Sequence, residues 1–86
     1  MSYSIHIKKS AAKELARIAS NDRGRVIRAI DQLKDHPYSG SPLKGELRGI
    51  RRIRVGDYRV LYEVGVEELT ILIVRVATRE EVYRRG

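Results

Sequence analysis

The segment RRIRVGDYRVLYEV, residues 51–64, carries four arginines within nine positions: Arg51, Arg52, Arg54 and Arg59. A guanidinium is planar, keeps its charge near neutral pH and donates two parallel hydrogen bonds to a phosphate. Grouped guanidiniums can hold a phosphodiester and stabilise the charge that builds on its oxygens as it reacts. They are poor proton acceptors, because they stay charged. Such a site is strong in electrostatics and weak in acid–base catalysis. Further along, TREEVYRR brings Arg79 and Tyr83, which lie on one side of the chain if the segment is helical. A ring beside clustered cations is the pairing that grips unstacked bases. Tyr83 equally suits packing back on the sheet.

Other catalytic vocabulary is missing. There is no cysteine, so neither a disulfide nor a thiolate is available. The two histidines, His6 and His36, fall in a strand and before a proline, which makes a metal site improbable. No phosphate-binding glycine loop and no serine–histidine–acid set can be traced. Asp57 occupies a turn and Glu46 a loop, and neither pairs with a histidine for general-base work. No metal or cofactor is expected.

Charge points the same way as the arginine cluster. Eighteen basic residues against eleven acidic ones give +7, and thirteen of the eighteen are arginine. A small, arginine-weighted basic chain suits a polyanion, nucleic acid above all; a basic surface kept for solubility is the alternative. No segment pairs a basic face with a strongly apolar one, which argues against membrane binding. The first residues lack the apolar run of a secretion signal. The longest apolar run, around LTILIV, is far short of the roughly 20 residues that span a bilayer. The expectation is a cytoplasmic protein.

The elements that must position the arginines follow from periodicity. Eighty-six residues make one domain, 1–86. Tyr3, Ile5 and Ile7 alternate with Ser4 and His6, a short strand. Ser10 can cap a helix to about Ala19, with Ala12, Leu15 and Ile18 or Ala19 on one stripe. The turn SND leads to a second helix with Val26, Ile27, Ile30 and Leu33 at helical spacing. It stops near Asp35–His36, because Pro37 disfavours helix in the residue before it. Gly24 fits the first turn or the preceding loop. Residues 36–49 hold both prolines and three glycines and form an ordered loop. Strands follow at about 50–55, 58–64 and 69–77. Thr78 and Glu81 have the spacing of a capping box, which predicts a short C-terminal helical turn. The fold class is α+β: two N-terminal helices on one face of a mainly antiparallel, about four-stranded sheet.

Gly56-Asp57 suits a two-residue type II′ hairpin turn. Val55 then opposes Tyr58, Arg54 opposes Arg59, Ile53 opposes Val60 and Arg52 opposes Leu61. Opposed residues share a face, as do residues two apart in a strand. Ile53, Val55, Tyr58, Val60 and Tyr62 therefore project to the helix side; Arg52, Arg54 and Arg59 project to the other. Like charges directly opposed cost up to roughly 1 kcal/mol, a cost that a bound phosphate offsets. In the last strand Leu69, Ile71 and Ile73 suit one face and Leu72, Val74 and Val76 the other. A strand apolar on both sides is covered on both sides, the second by a partner chain or by a neighbouring loop.

The run SPLKGELRGIRRIRVGDYRVLYEV with the closing VATREEVYR closely resembles the RelE/ParE superfamily of toxin–antitoxin toxins, over nearly the whole chain. The resemblance implies a RelE-like fold and a ribosome-dependent endoribonuclease that cuts messenger RNA in the A site, through attack of the 2′-hydroxyl on the scissile phosphate. It puts Arg52 and Arg54 where RelE enzymes carry catalytic lysines. It implies that Arg59 and Arg79 contact the scissile phosphate, with Arg79 also serving the leaving group, and that Tyr83 stacks on the base. Lys44, Arg48 and Arg51 are expected to bind RNA. The implied partners are an acidic, RelB-like antitoxin, the messenger and ribosomal RNA. Arginine for lysine at Arg52 and Arg54 leaves no evident general base, and Ser41 and Thr78 stand where some relatives have a glutamate and a histidine. ParE-type relatives share the scaffold and poison DNA gyrase without cutting RNA. The alternatives are therefore a gyrase inhibitor and a non-enzymatic basic module that binds nucleic acid or an acidic partner.

Overall fold

The structure, a computed structural model, describes residues 2–82. In chain order it comprises β1 (Ser4–Ile7), α1 (Lys9–Ala16), α2 (Ser20–Gln32), β2 (Ser41–Pro42), a 3₁₀ turn (Gly45–Leu47), β3 (Arg51–Val55), β4 (Tyr58–Gly65) and β5 (Thr70–Thr78). The sheet order is β1-β5-β4-β3-β2, with β1 parallel to β5 and every other pair antiparallel. The α+β class and the helix-covered, mainly antiparallel sheet are as expected. The count is five strands rather than about four, because Ser41 and Pro42 pair with Arg52 and Arg51 inside what reads as loop. Proline is tolerated there because β2 is an edge strand.

Both helices sit on one face. Ala11, Leu15 and Ile18 from the α1 end join Val26, Ile30 and Leu33 from α2 over Val60, Tyr62, Ile71, Ile73 and Val76. Each fully buried large aliphatic side chain here contributes about 1.5–3 kcal/mol. The stripes differ in detail from the periodic reading. Ala11 rather than Ala12 is buried, Ala19 is exposed, and Ile27 is 48% exposed.

Helix boundaries are set by tertiary bonds rather than by side-chain caps. Ser10 lies inside α1 and does not cap it: the Lys8 N–H donates to Ile73 O in the sheet while the Lys8 carbonyl accepts from the Ala12 N–H. At the other end, Arg23 Nη1 donates to Ala16 O at 3.1 Å and Ile18 O at 3.4 Å, so the helix stops before Ala19. Ser20-Asn21-Asp22 forms the first turn of α2, not a turn before it, and Gly24 lies within the helix.

A β-bulge corrects the face assignment in β5. Leu61 pairs with Arg75 but Tyr62 pairs with Ile73, so β5 carries one extra residue at that point. Beyond it the alternation flips: Val76 joins Ile71 and Ile73 on the helix side, and Ala77 takes the other face. The bulge is tied down by Glu14 on α1, which accepts from Arg75 Nε at 3.1 Å and from the Val76 N–H at 2.9 Å. On the second face Leu61, Ala77 and Val82 are buried, with Leu43, Ile50 and Val74 packed against them. The chain's own loop and C-terminal turn therefore cover that part of the sheet.

Candidate functional site

The arginines are positioned by a rigid hairpin. Gly56 takes φ +60°, a conformation that a side chain disfavours. The register is Val55↔Tyr58, Arg54↔Arg59, Ile53↔Val60 and Arg52↔Leu61. Leu61 belongs to the cluster on the face away from the helices, so Arg52, Arg54 and Arg59 share that face. Arg54 and Arg59 form the first pair beyond the hydrogen-bonded pair that closes a two-residue turn, where Cα atoms approach to about 4.5 Å.

Two recesses open on this region. One is lined by Ser39, Gly40, Ser41, Arg52, Ile53 and Arg54. The other is lined by Asp57, Arg59, Thr78, Arg79 and Glu80. The four arginines thus divide into two pairs, linked across the hairpin by the Arg54–Arg59 register.

Each pair is held by backbone. Arg59 Nη1 donates to Gly56 O at 3.3 Å and Tyr58 O at 3.2 Å, which folds the guanidinium back over the turn. The Arg79 N–H donates to Asp57 O at 3.2 Å, which ties the residue after β5 to the same turn. Behind Arg52, the loop 37–42 is fixed by Tyr62, which is fully buried. The Tyr62 hydroxyl donates to Pro37 O at 2.8 Å and accepts from the Gly40 N–H at 3.0 Å. A Cβ at Gly40 would sit 2.6 Å from that hydroxyl and 2.7 Å from Arg52 O, so the close approach requires glycine.

The remaining candidates fall elsewhere. Arg51 lies on the Ile53 and Tyr62 side of β3. Its Nε donates to Gly40 O and its Nη2 to Tyr38 O, both at 3.1 Å, and its guanidinium sits 5.1 Å from the Tyr38 ring centre. That side chain secures the loop. Lys44 and Arg48 are exposed on either side of the 3₁₀ turn. Tyr83 lies outside the described residues. The Thr78–Glu81 spacing yields a direct bond, the Thr78 hydroxyl donating to Glu81 Oε1 at 2.8 Å, rather than the reciprocal backbone bonds of a capping box. The Val82 N–H donates to Thr78 O across the same turn.

The sequence reading sets Asp57 aside for want of a histidine partner and does not single out Glu80. Both residues line the recess of Arg59 and Arg79, and neither forms an ion pair within the described residues. The available signal was adjacency: Asp57 is two residues before Arg59 and Glu80 directly follows Arg79.

The arrangement can bind phosphates and stabilise negative charge. Comparison with known proteins gives the chain's likenesses. The family profile for the ParE toxin of type II toxin–antitoxin systems matches residues 5–83. Toxin RelG of Mycobacterium tuberculosis is 33% identical over 87 residues, covering 99% of this chain and 100% of that protein. A chain of the RelBE2 toxin–antitoxin complex from M. tuberculosis superposes with a TM-score of 0.86 at 30% identity, covering 92% of this chain and 100% of that one. A chain of the archaeal RelE–RelB complex from Pyrococcus horikoshii gives 0.76 at 27% identity, covering 95% of this chain and 100% of that one.

Proposed function

This chain belongs to the ParE toxin family of type II toxin–antitoxin systems, within the RelE/ParE superfamily, and on that premise we propose that it is a ribosome-dependent messenger RNA endoribonuclease. The observation that carries this reading is the gathering of Arg52, Arg54 and Arg59 on the sheet face away from the helices, with Arg79 lining the recess of Arg59.

In this mechanism Arg59 and Arg79 grip the scissile phosphate of a messenger held in the ribosomal A site. Arg52 and Arg54 take the neighbouring phosphate, and Tyr83 stacks on the base. The 2′-hydroxyl attacks in line, leaving a 2′,3′-cyclic phosphate and a 5′-hydroxyl. Because the RNA supplies the nucleophile, the chemistry calls for no metal or cofactor. The guanidiniums fix the geometry and neutralise the phosphorane oxygens. Lys44 and Arg48 extend the cationic surface toward RNA, and the site of action is the cytoplasm, where the ribosomes are. The partner is an acidic, RelB-like antitoxin that masks the arginines, in keeping with the complexes formed by the structural relatives.

The test is cleavage of messenger on programmed ribosomes, mapped by primer extension. Arg59→Ala and Arg79→Ala are each expected to lose at least about 10²-fold in rate, as when one transition-state donor is removed. Circular dichroism should stay that of the parent. Wild-type rates from either variant would refute the site.

A second reading is favoured by the family profile itself, which is that of the ParE toxin. A gyrase poison of the same fold predicts double-strand DNA breaks and blocked supercoiling, with messenger ends unchanged after induction.

A further inference from the structure

We propose that Asp57 is the proton acceptor for the attacking 2′-hydroxyl, which deepens and rests on the endoribonuclease reading above. The arginines cannot fill this role, since a guanidinium stays charged. The histidines are elsewhere: His6 is on β1, at the far edge of the sheet from β3, and His36 follows α2. The Thr78 hydroxyl donates to Glu81. Two carboxylates remain in the recess with Arg59 and Arg79, those of Asp57 and Glu80.

Tethering selects between them. Arg59 is bonded to the carbonyl of Gly56, the first residue of the hairpin turn, and Arg79 to the carbonyl of Asp57, the second. The turn that carries Asp57 is thus held by the Arg59 guanidinium on one residue and by the Arg79 backbone N–H on the other, and both arginines line the recess beside it. A catalytic group needs that kind of rigid support. Glu80 reaches the recess from the turn after β5 and has no such tie. The charged groups around the turn are Arg59, Arg79 and Glu80 in the recess and Arg25 of α2, whose guanidinium lies against Gly56, with Arg54 opposite Arg59 in the hairpin. Two guanidiniums offset the repulsion between an aspartate and the incoming phosphate.

The step balances as follows. The O2′–P bond forms as the P–O5′ bond breaks, and the 2′-hydroxyl proton passes to an Asp57 carboxylate oxygen. The departing 5′ oxygen, held by N–H groups of Arg79, takes a proton from water. The hydroxide so formed removes the proton from Asp57.

The experiment is single-turnover cleavage on programmed ribosomes across a pH series, with wild type, Asp57→Asn and Glu80→Gln, alongside ribosome binding. Asparagine and serine both suit the second position of this turn, so Asp57→Ser serves as a second variant should Asp57→Asn fold poorly. The expected result is a loss of about 10²–10⁴-fold in the chemical rate for Asp57→Asn with ribosome affinity unchanged. The loss in Asp57→Asn should exceed that in Glu80→Gln by at least about tenfold at every pH. A loss in Glu80→Gln equal to or greater than that in Asp57→Asn overturns the assignment. An active wild type with inactive Arg59→Ala and fully active Asp57→Asn sinks only this inference. An inactive wild type sinks the nuclease reading and this inference with it.

Discussion

Arg54 and Arg59 face each other across the hairpin, and neither has an acidic partner among the described residues. Folding gains nothing from that pairing, since like charges opposed in a sheet repel by up to about 1 kcal/mol. Replacing one with a neutral strand former removes the repulsion and keeps the strand. We predict that Arg54→Thr raises stability by about 0.5–1 kcal/mol, or several degrees in melting temperature for a chain this size, while messenger cleavage falls. A lower melting temperature in a thermal scan would show that the pair is not strained. This contact was legible in the sequence because the two-residue Gly56-Asp57 turn leaves a single register. The roles of Asp57 and Glu80 were not. Both sit in turns, and nothing in the sequence says that the Arg79 N–H meets the Asp57 carbonyl.

Among the elements, the α1–β5 junction shows why the rest of the fold was harder to read. Alternation in β5 assumes an unbroken period of two, and the bulge at Val74–Arg75 breaks it, carrying Val76 to the helix side. No residue there announces a bulge; it exists because Glu14, sixty-one positions from Arg75, offers a carboxylate to the freed Val76 N–H. Ser10 failed as a cap for a related reason: the sheet bond to Lys8 sets where α1 begins. The pair's side chains are 24% and 29% exposed, so solvent weakens the ionic part. The cost of deletion lies mainly in the orphaned N–H. Glu14→Ala should therefore destabilise by about 1–3 kcal/mol. Amide exchange measured by NMR should show faster exchange at Val76 in the variant; unchanged protection there would contradict the role given to Glu14.

At the scale of the whole molecule the helix side holds the larger apolar core and the opposite face holds Arg52, Arg54 and Arg59, on a chain of net charge +7. Binding to single-stranded RNA should weaken steeply with salt, because each neutralised phosphate releases counterions. With three or four guanidiniums engaged, the slope of log K against log salt should be roughly −2 to −3, and Arg52→Ala should reduce it by about 0.7. Titrations at several ionic strengths read this directly, and a slope near zero would mean that the cations do not meet phosphate. The sheet topology also governs timing. Strand β5 lies between β1 and β4, and Arg79 follows it, so the first strand made waits for the last before it has a neighbour. At synthesis rates of 5–20 residues per second, Arg79 follows Arg59 out of the peptidyl centre after about 1–4 s. Through that interval the nascent chain carries its cationic hairpin without Arg79, so on the proposed reading the phosphate site closes only once β5 has been made.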